Sequence, residues 1–145
     1  MTTKDLFTAE QQQRIIAAIR DAELATSGEI RVHIEATCPD PDPVQRAIQV
    51  FGRLGMHQTQ EQNGVLFYLA THDRKFAVVG DKGIDQRVPT GFWDSTKDVL
   101  RHHFSTGDYV EGLCQGIALA GQQLKQFFPR ATNDTNELSD DISFD

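Results

Sequence analysis

The stretch "HDRKFAVVGDKGID", residues 72 to 85, sets acids and bases on either side of an apolar core. Asp81 and Asp85 flank Gly83, whose freedom of backbone conformation lets a loop fold back and turn carboxylates and carbonyls toward one spot. Hard oxygen donors of this kind suit Ca2+ or Mg2+. Asn63 and Glu29, each at the opening of an apolar strand pattern, would add two more oxygens, and Asp108 another if its helix starts nearby. The competing reading is a solvated acidic loop, the usual state of surface carboxylates. At the other end of the same hairpin, Asp73 and Arg74 are either turn residues or, through the Arg74 guanidinium, a contact to a bound anion or a buried carboxylate.

Other chemistries find little support. His33, His57, His72, His102 and His103 form no i, i+4 pair and no H-E-x-x-H, the spacing that puts two zinc ligands on one helix face. Neither Ser27 nor Ser105 lies in G-x-S-x-G. "DPDPV", residues 40 to 44, formally matches the nucleophile pattern of haloacid-dehalogenase-type phosphatases. However, Pro41 and Pro43 lack the backbone N–H groups that would hold a phosphate there, so the segment reads as a capped turn. A C-x5-R phosphatase loop from Cys38 would need arginine where Val44 stands. Cys38 and Cys114 have no C-x-x-C spacing and read as reduced thiols.

The elements that must position these residues are legible from periodicity. Ile15, Ile16, Ile19 and Ala22 form a helical stripe behind a Thr8–Gln11 capping box. Residues 29–36 alternate Ile30, Val32 and Ile34 with Glu29, Arg31, His33 and Glu35, which predicts a strand with one dry face and an outward-looking His33. Asp42 caps a second helix with Pro43 at its first position and Val44, Ala47, Ile48, Phe51 and Leu54 as its stripe. The run 65–71 is apolar on both faces, as in a central strand, and "THDR" is too short for a crossover, so 75–80 should return antiparallel. Phe92, Thr96, Val99, Leu100 and His103 line a third helix. A fourth opens on a D-x-x-E cap, Asp108 and Glu111, and stops before Pro129.

This order predicts a small α/β layer fold in one domain, residues 1–129, with an acidic tail at 130–145 whose Leu138, Ile142 and Phe144 are its main apolar side chains. A fourth short strand has no clear place in the pattern. Topology collects the loops at two rims: "TCPDPDP" with "THDR" at one, and Gly28-Glu29, Asn63-Gly64 and "GDKGID" at the other.

Composition narrows the partners. With 145 residues the chain is long enough to bury its own core, and a formal net charge of −7 argues against a phosphate-backbone footprint of DNA or RNA. No apolar run approaches the roughly 18 residues of a spanning helix, and "MTTKDLFTAEQQQ" lacks the apolar stretch of a secretory signal, so a cytoplasmic location is the expectation.

"QNGVLFYLATHDRKFAVVGDKGID", followed by "FSTGDYVEGLCQGIALAGQQL", resembles the TPM domain of bacterial membrane-anchored proteins, chloroplast lumen proteins and animal receptor modulators. The carrying points are Asn63-Gly64, Asp73-Arg74, the glycines after the third strand, Asp85 and Gly107-Asp108-Tyr109. The resemblance implies an α/β/α sandwich around a mixed sheet of three or four strands with about four helices, Ca2+ binding in some members, and a phosphatase-like activity proposed for some. The family's glycine-x-glycine turn is lengthened here to Gly80-Asp81-Lys82-Gly83, which brings an ammonium group near the carboxylates as a substitute for a metal. The leading expectation is therefore a metal-assisted phosphomonoesterase with the cation on Asp81, Asp85, Asn63 and Glu29 and a small phosphorylated substrate. The rival is a non-enzymatic interaction or assembly module that meets a protein partner, since no nucleophile or general base stands out.

Overall fold

The computed structural model describes residues 2–130 and 138–145. A 3-10 turn (Thr3–Leu6) leads into α1 (Ala9–Ala25), β1 (Glu29–Glu35), α2 (Pro43–Arg53), a second 3-10 turn (Met56–Gln58), β2 (Gly64–Ala70) and β3 (Lys75–Gly80). Then follow α3 (Lys82–Arg87), α4 (Asp94–Phe104), α5 (Tyr109–Leu124) and β4 (Ser143–Phe144). The mixed sheet has the order β3-β2-β1-β4. β1 runs parallel to β2 from Glu29↔Gly64 to Glu35↔Ala70, and β2 antiparallel to β3 from Val65↔Gly80 to Ala70↔Lys75.

The caps follow the sequence at α1 and α2. Thr8 Oγ1 accepts the Gln11 N–H at 3.1 Å while Gln11 Oε1 accepts the Thr8 N–H at 2.9 Å. Asp42 Oδ1 accepts from Val44 N at 2.9 Å, with Pro43 at the position where a missing N–H costs nothing. Two apolar layers then sandwich the sheet. On one face Ile30, Val32, Ile34, Val65, Phe67 and Leu69 pack against α1, α4 and α5, and on the other Leu66, Tyr68, Ala70 and Ala77 meet Ala47, Val50 and Met56. β2, buried at every residue, lies inside the sheet as its continuous apolar run requires.

Several expectations are corrected. "KGIDQR" is a short helix, so Asp81 is its N-cap and not a loop residue. The α2 stripe is narrower than predicted, since Val44 and Ile48 are exposed, because only about half of that helix's circumference meets the sheet. Asp108 stands at the N-cap of α5 without a side-chain cap bond, and Glu111 is instead drawn to Arg14 at 2.7 Å. His33 does not look outward: it is fully buried, because α2 and the C-terminal residues cover the polar face of β1. Those residues supply the fourth strand, pairing His33↔Ser143 and Ile34↔Phe144, and Leu138, Ile142 and Phe144 all pack against the apolar layers. Of the tail acids, Asp134 and Glu137 lie outside the described residues. Among the described residues no helix is long and apolar enough to cross a membrane.

Candidate functional site

Three chain segments meet where β1 and β2 begin and β3 ends. Glu29 N donates to Asn63 O at 3.1 Å, Asp81 N to Gly64 O at 2.9 Å, and Gly83 N to Gln62 O at 2.9 Å. The last contact needs glycine: a Cβ at position 83 would lie 2.2 Å from Glu61 O and 2.5 Å from Gln62 O. α3 can therefore start hard against the 59–63 loop, where Gln62 takes a left-handed φ of 52°.

Asn63 is 2% exposed and Asp81 9%. Asn63 spends its Nδ2 on Ser27 O at 2.9 Å and Glu61 Oε2 at 3.3 Å, and Asp81 Oδ1 accepts from Lys82 N at 2.7 Å. Asn63 Oδ1 and Asp81 Oδ2 have no hydrogen-bond partner. Buried acceptors are nearly always satisfied, and leaving one unmet costs about 1–3 kcal/mol, more for a charged group. Two such oxygens on adjoining strand ends therefore call for a donor or a cation.

Asp85 stands one helical turn beyond Asp81 and is exposed at its surface. Partial burial and then the Asp81 charge push its carboxyl above the ordinary value. Lys82 is exposed and makes no ion pair with either aspartate. Glu29 flanks Gly64 on the side away from Asp81, and its Oε1 accepts the Leu138 N–H at 2.8 Å. Beside Asp85 opens a cavity of about 320 Å³ lined by Phe92, Trp93, Asp94 and Lys97.

At the opposite rim, Asp73 and Arg74 take turn roles. Asp73 Oδ2 accepts from Cys38 N at 2.7 Å, tying the β3 hairpin to the loop after β1, and exposed Arg74 supplies a left-handed residue with φ 54°. Tyr109 Oη donates to Thr71 O at 3.2 Å, so the Gly107-Asp108-Tyr109 motif closes over the same hairpin.

Sequence reasoning missed a buried polar cluster on β1. Arg46 grips Glu35 through Nε at 2.9 Å and Nη2 at 2.8 Å, Tyr68 donates its hydroxyl to Glu35 Oε2, and Arg53 pairs with Asp145. His33 Nε2 lies 3.4 Å from both Glu35 Oε1 and Asp145 Oδ2, with Nδ1 against Ser143 Oγ at 2.8 Å. One ligand atom from each of His33, Glu35 and Asp145 falls within 4.8 Å of the others, a metal-like grouping. The charges argue otherwise. Two guanidiniums already balance the two carboxylates, and burial holds His33 below its ordinary pKa, so a divalent ion would enter a neutral, crowded site. The cluster is a clamp between β1, α2 and β4. The alternation of His33 and Glu35 was its only sequence signal, because the partners come from distant segments.

A family model of the TPM domain matches residues 1–123. The chain belongs to the TPM domain family. The NMR structure of BA42 protein from the psychrophilic bacterium Bizionia argentinensis is similar to this TPM domain at 44% identity, covering 98% of this chain and 97% of that one, with a TM-score of 0.92. More distant in sequence are the N-terminal domain of a P. gingivalis protein (22% identity, 85% and 79% covered, TM-score 0.69) and that of cg2496 protein from Corynebacterium glutamicum (14%, 91% and 80%, TM-score 0.65), which share the fold. Comparison with curated proteins gave no match.

Proposed function

We propose that this TPM domain binds a divalent cation, Ca2+ or Mg2+, at the rim formed by Asn63 and Asp81, with Asp85 as a further oxygen donor. The observation that carries the reading is the pair of buried, unpartnered oxygens, Asn63 Oδ1 and Asp81 Oδ2. An amide oxygen and a carboxylate are hard donors that suit either ion. A cation there would also relieve the repulsion between Asp81 and Asp85.

The same reading extends to phosphomonoester hydrolysis. A bound cation supplies Lewis-acid stabilisation of phosphoryl oxygens and a bound water of lowered pKa. The cavity beside Asp85 has room for a small phosphorylated substrate, with Lys97 as a counter-charge. The second reading is a cation-responsive interaction module. It is favoured by the absence of any His or Cys among the rim and cavity residues described above.

Calorimetric titration of chelator-stripped protein with Ca2+ and Mg2+ tests the site. Binding in the wild type that is lost in Asp81→Asn supports it, and absence of heat or of a melting shift at millimolar cation overturns it. Cation-dependent phosphate release from p-nitrophenyl phosphate, abolished in Asp81→Asn, supports the hydrolase. Cation binding with no turnover selects the interaction module.

A further inference from the structure

At the rim opposite Asn63 and Asp81, a cavity of about 340 Å³ opens between the N-terminal 3-10 turn, α1, the end of β2 and the start of α5. Pockets for small ligands begin at about 300 Å³ and combine apolar walls with a few placed polar groups. Phe7 and Val110, both buried, form the apolar wall here, and Leu6, 52% exposed, extends it toward solvent.

The polar groups at this cavity are not used by the fold. Thr71 is 9% exposed. Its N–H donates to Glu35 O at 2.9 Å and its carbonyl accepts from Tyr109 Oη at 3.2 Å, so both backbone groups are engaged. Its side chain lines the cavity, and the hydroxyl makes no hydrogen bond among the described residues. Buried hydroxyls nearly always have a partner, so this one is left for a ligand. Beside it the 16-residue α5 begins. The N–H groups of Tyr109, Val110 and Glu111 have no intrahelical acceptor, and the Asp108 side chain at the N-cap does not take them. Gly112 N is the first to find one, Asp108 O at 3.1 Å. Free N–H groups at the positive end of a helix attract an anionic oxygen.

Charge decides what else the ligand carries. Arg14 is held by Glu111 at 2.7 Å, and the other oxygen of Glu111 accepts from Gln115 Nε2 at 2.7 Å. Asp108 is exposed and reaches Arg14 only through longer-range attraction, so its carboxylate is the spare charge of the cavity. A simple anion would be repelled by Asp108, and a simple cation would leave Thr71 and the α5 N–H groups unused. A ligand with both charges on one carbon suits all three.

We propose that this cavity binds a free α-amino acid with an apolar side chain. Its carboxylate meets the N–H groups at the start of α5 and the Thr71 hydroxyl, its ammonium group meets Asp108, and its side chain lies on Phe7, Val110 and Leu6. The proposal is independent of the cation site, which lies at the other end of the strands.

Calorimetric titration of the full-length chain with L-phenylalanine, L-leucine and two truncated probes tests it. Phenylpropionate lacks the ammonium group and phenethylamine lacks the carboxylate. Both amino acids should bind at millimolar concentration, with each truncated probe at least about tenfold weaker than L-phenylalanine. Thr71→Val keeps the shape without the hydroxyl and should lower affinity for L-phenylalanine about fivefold or more. Asp108→Asn should abolish the preference for L-phenylalanine over phenylpropionate. In wild type, the amide NMR signals that move with L-phenylalanine should be those of residues 6–7, 71 and 109–111. Absence of binding by wild type at about 10 mM amino acid overturns the proposal, as does equal binding of the three phenyl probes or a set of shifted amides elsewhere on the surface. Should Thr71→Val not fold, the probe ranking and the shifts in wild type decide alone.

Discussion

Glu23, at the end of α1, hydrogen-bonds Asp140 of the C-terminal segment while its Oε2 accepts the Ile30 N–H at 3.1 Å. Two carboxyl groups in contact must share a proton. Burial first, then the Asp140 bond and the Asp140 and Glu29 charges, push the Glu23 carboxyl up to about 9, with only the Ile30 N–H working against them. Arg20 pairs with Asp140 at 3.4 Å, and Arg130 Nη1 donates to the Glu23 carbonyl at 2.5 Å.

The sign of the pH dependence follows. Between pH 4.5 and 9 the folded chain keeps a proton at Glu23 that the unfolded chain has lost, so stability falls as pH rises through that window. Glu23→Gln keeps a donor toward Asp140 and an acceptor for Ile30 but does not titrate. Its stability relative to wild type should improve by about 1 kcal/mol per unit from pH 5 to pH 8, measured by urea unfolding. A flat difference would show that Glu23 is ionised in the folded protein.

The β1 clamp acts at the acid end. Burial opposes ionisation of Glu35, yet the bonds from Arg46 and Tyr68 outweigh it and hold the carboxyl below its ordinary range. Its stabilisation is present at neutral pH and is lost as pH falls below about 4.5. His33, kept neutral by burial, adds a loss as pH falls through 6.5. Arg46→Met leaves the Glu35 carboxylate buried and unpaired and should cost about 3 kcal/mol or more at pH 7. Adding Glu35→Gln should recover part of that loss. Arg46→Lys should rescue poorly, because an ammonium group cannot reproduce the two-pronged contact.

These two relationships also explain what was readable in advance. The helical stripe of Ile15 and Ile19, the caps at Thr8 and Asp42, and the apolar run of β2 are local patterns, and each forms as its spacing predicts. The meeting of the segments around Glu29, Asn63 and Asp81 was legible because a glycine-bearing acidic turn and an Asn-Gly strand start converge by topology alone. The burial of His33 was not, because it depends on Asp145, 112 positions away, and on a strand whose acidic surroundings read as solvated tail. Charge density in "LSDDISFD" concealed an alternation in which Ile142 and Phe144 reach the core while Asp140 and Asp145 meet Glu23, Arg20 and Arg53.

Removing residues 138–145 therefore exposes part of the sheet edge. Leu138, Ile142 and Phe144 are each partly buried, and losing them together with the Arg53–Asp145 pair should lower the melting temperature by about 10 °C. Differential scanning calorimetry of the chain ending at residue 137 provides the check. A shift under about 3 °C would mean the C-terminal segment contributes no stability and only occupies the edge.

Two glycine-to-alanine changes should have opposite signs. At Gly52, inside α2, an added Cβ meets nothing within 4 Å, so Gly52→Ala relieves the entropic cost of glycine in a helix and should stabilise by about 0.5–1 kcal/mol. At Gly83 the same methyl group would sit 2.2 Å from Glu61 O and 2.5 Å from Gln62 O, both backbone atoms that no rotamer change can move. Gly83→Ala must push the start of α3 off the 59–63 loop and stretch the Gly83 N–H bond to Gln62 O, now 2.9 Å. It should cost about 2 kcal/mol, within the range of overpacked cores. The displacement also separates Asp81 from Asn63, so Ca2+ affinity should fall well beyond what the lost stability accounts for when both are measured where the variant is fully folded. Unchanged affinity in a destabilised Gly83→Ala would place the cation elsewhere than between those two side chains.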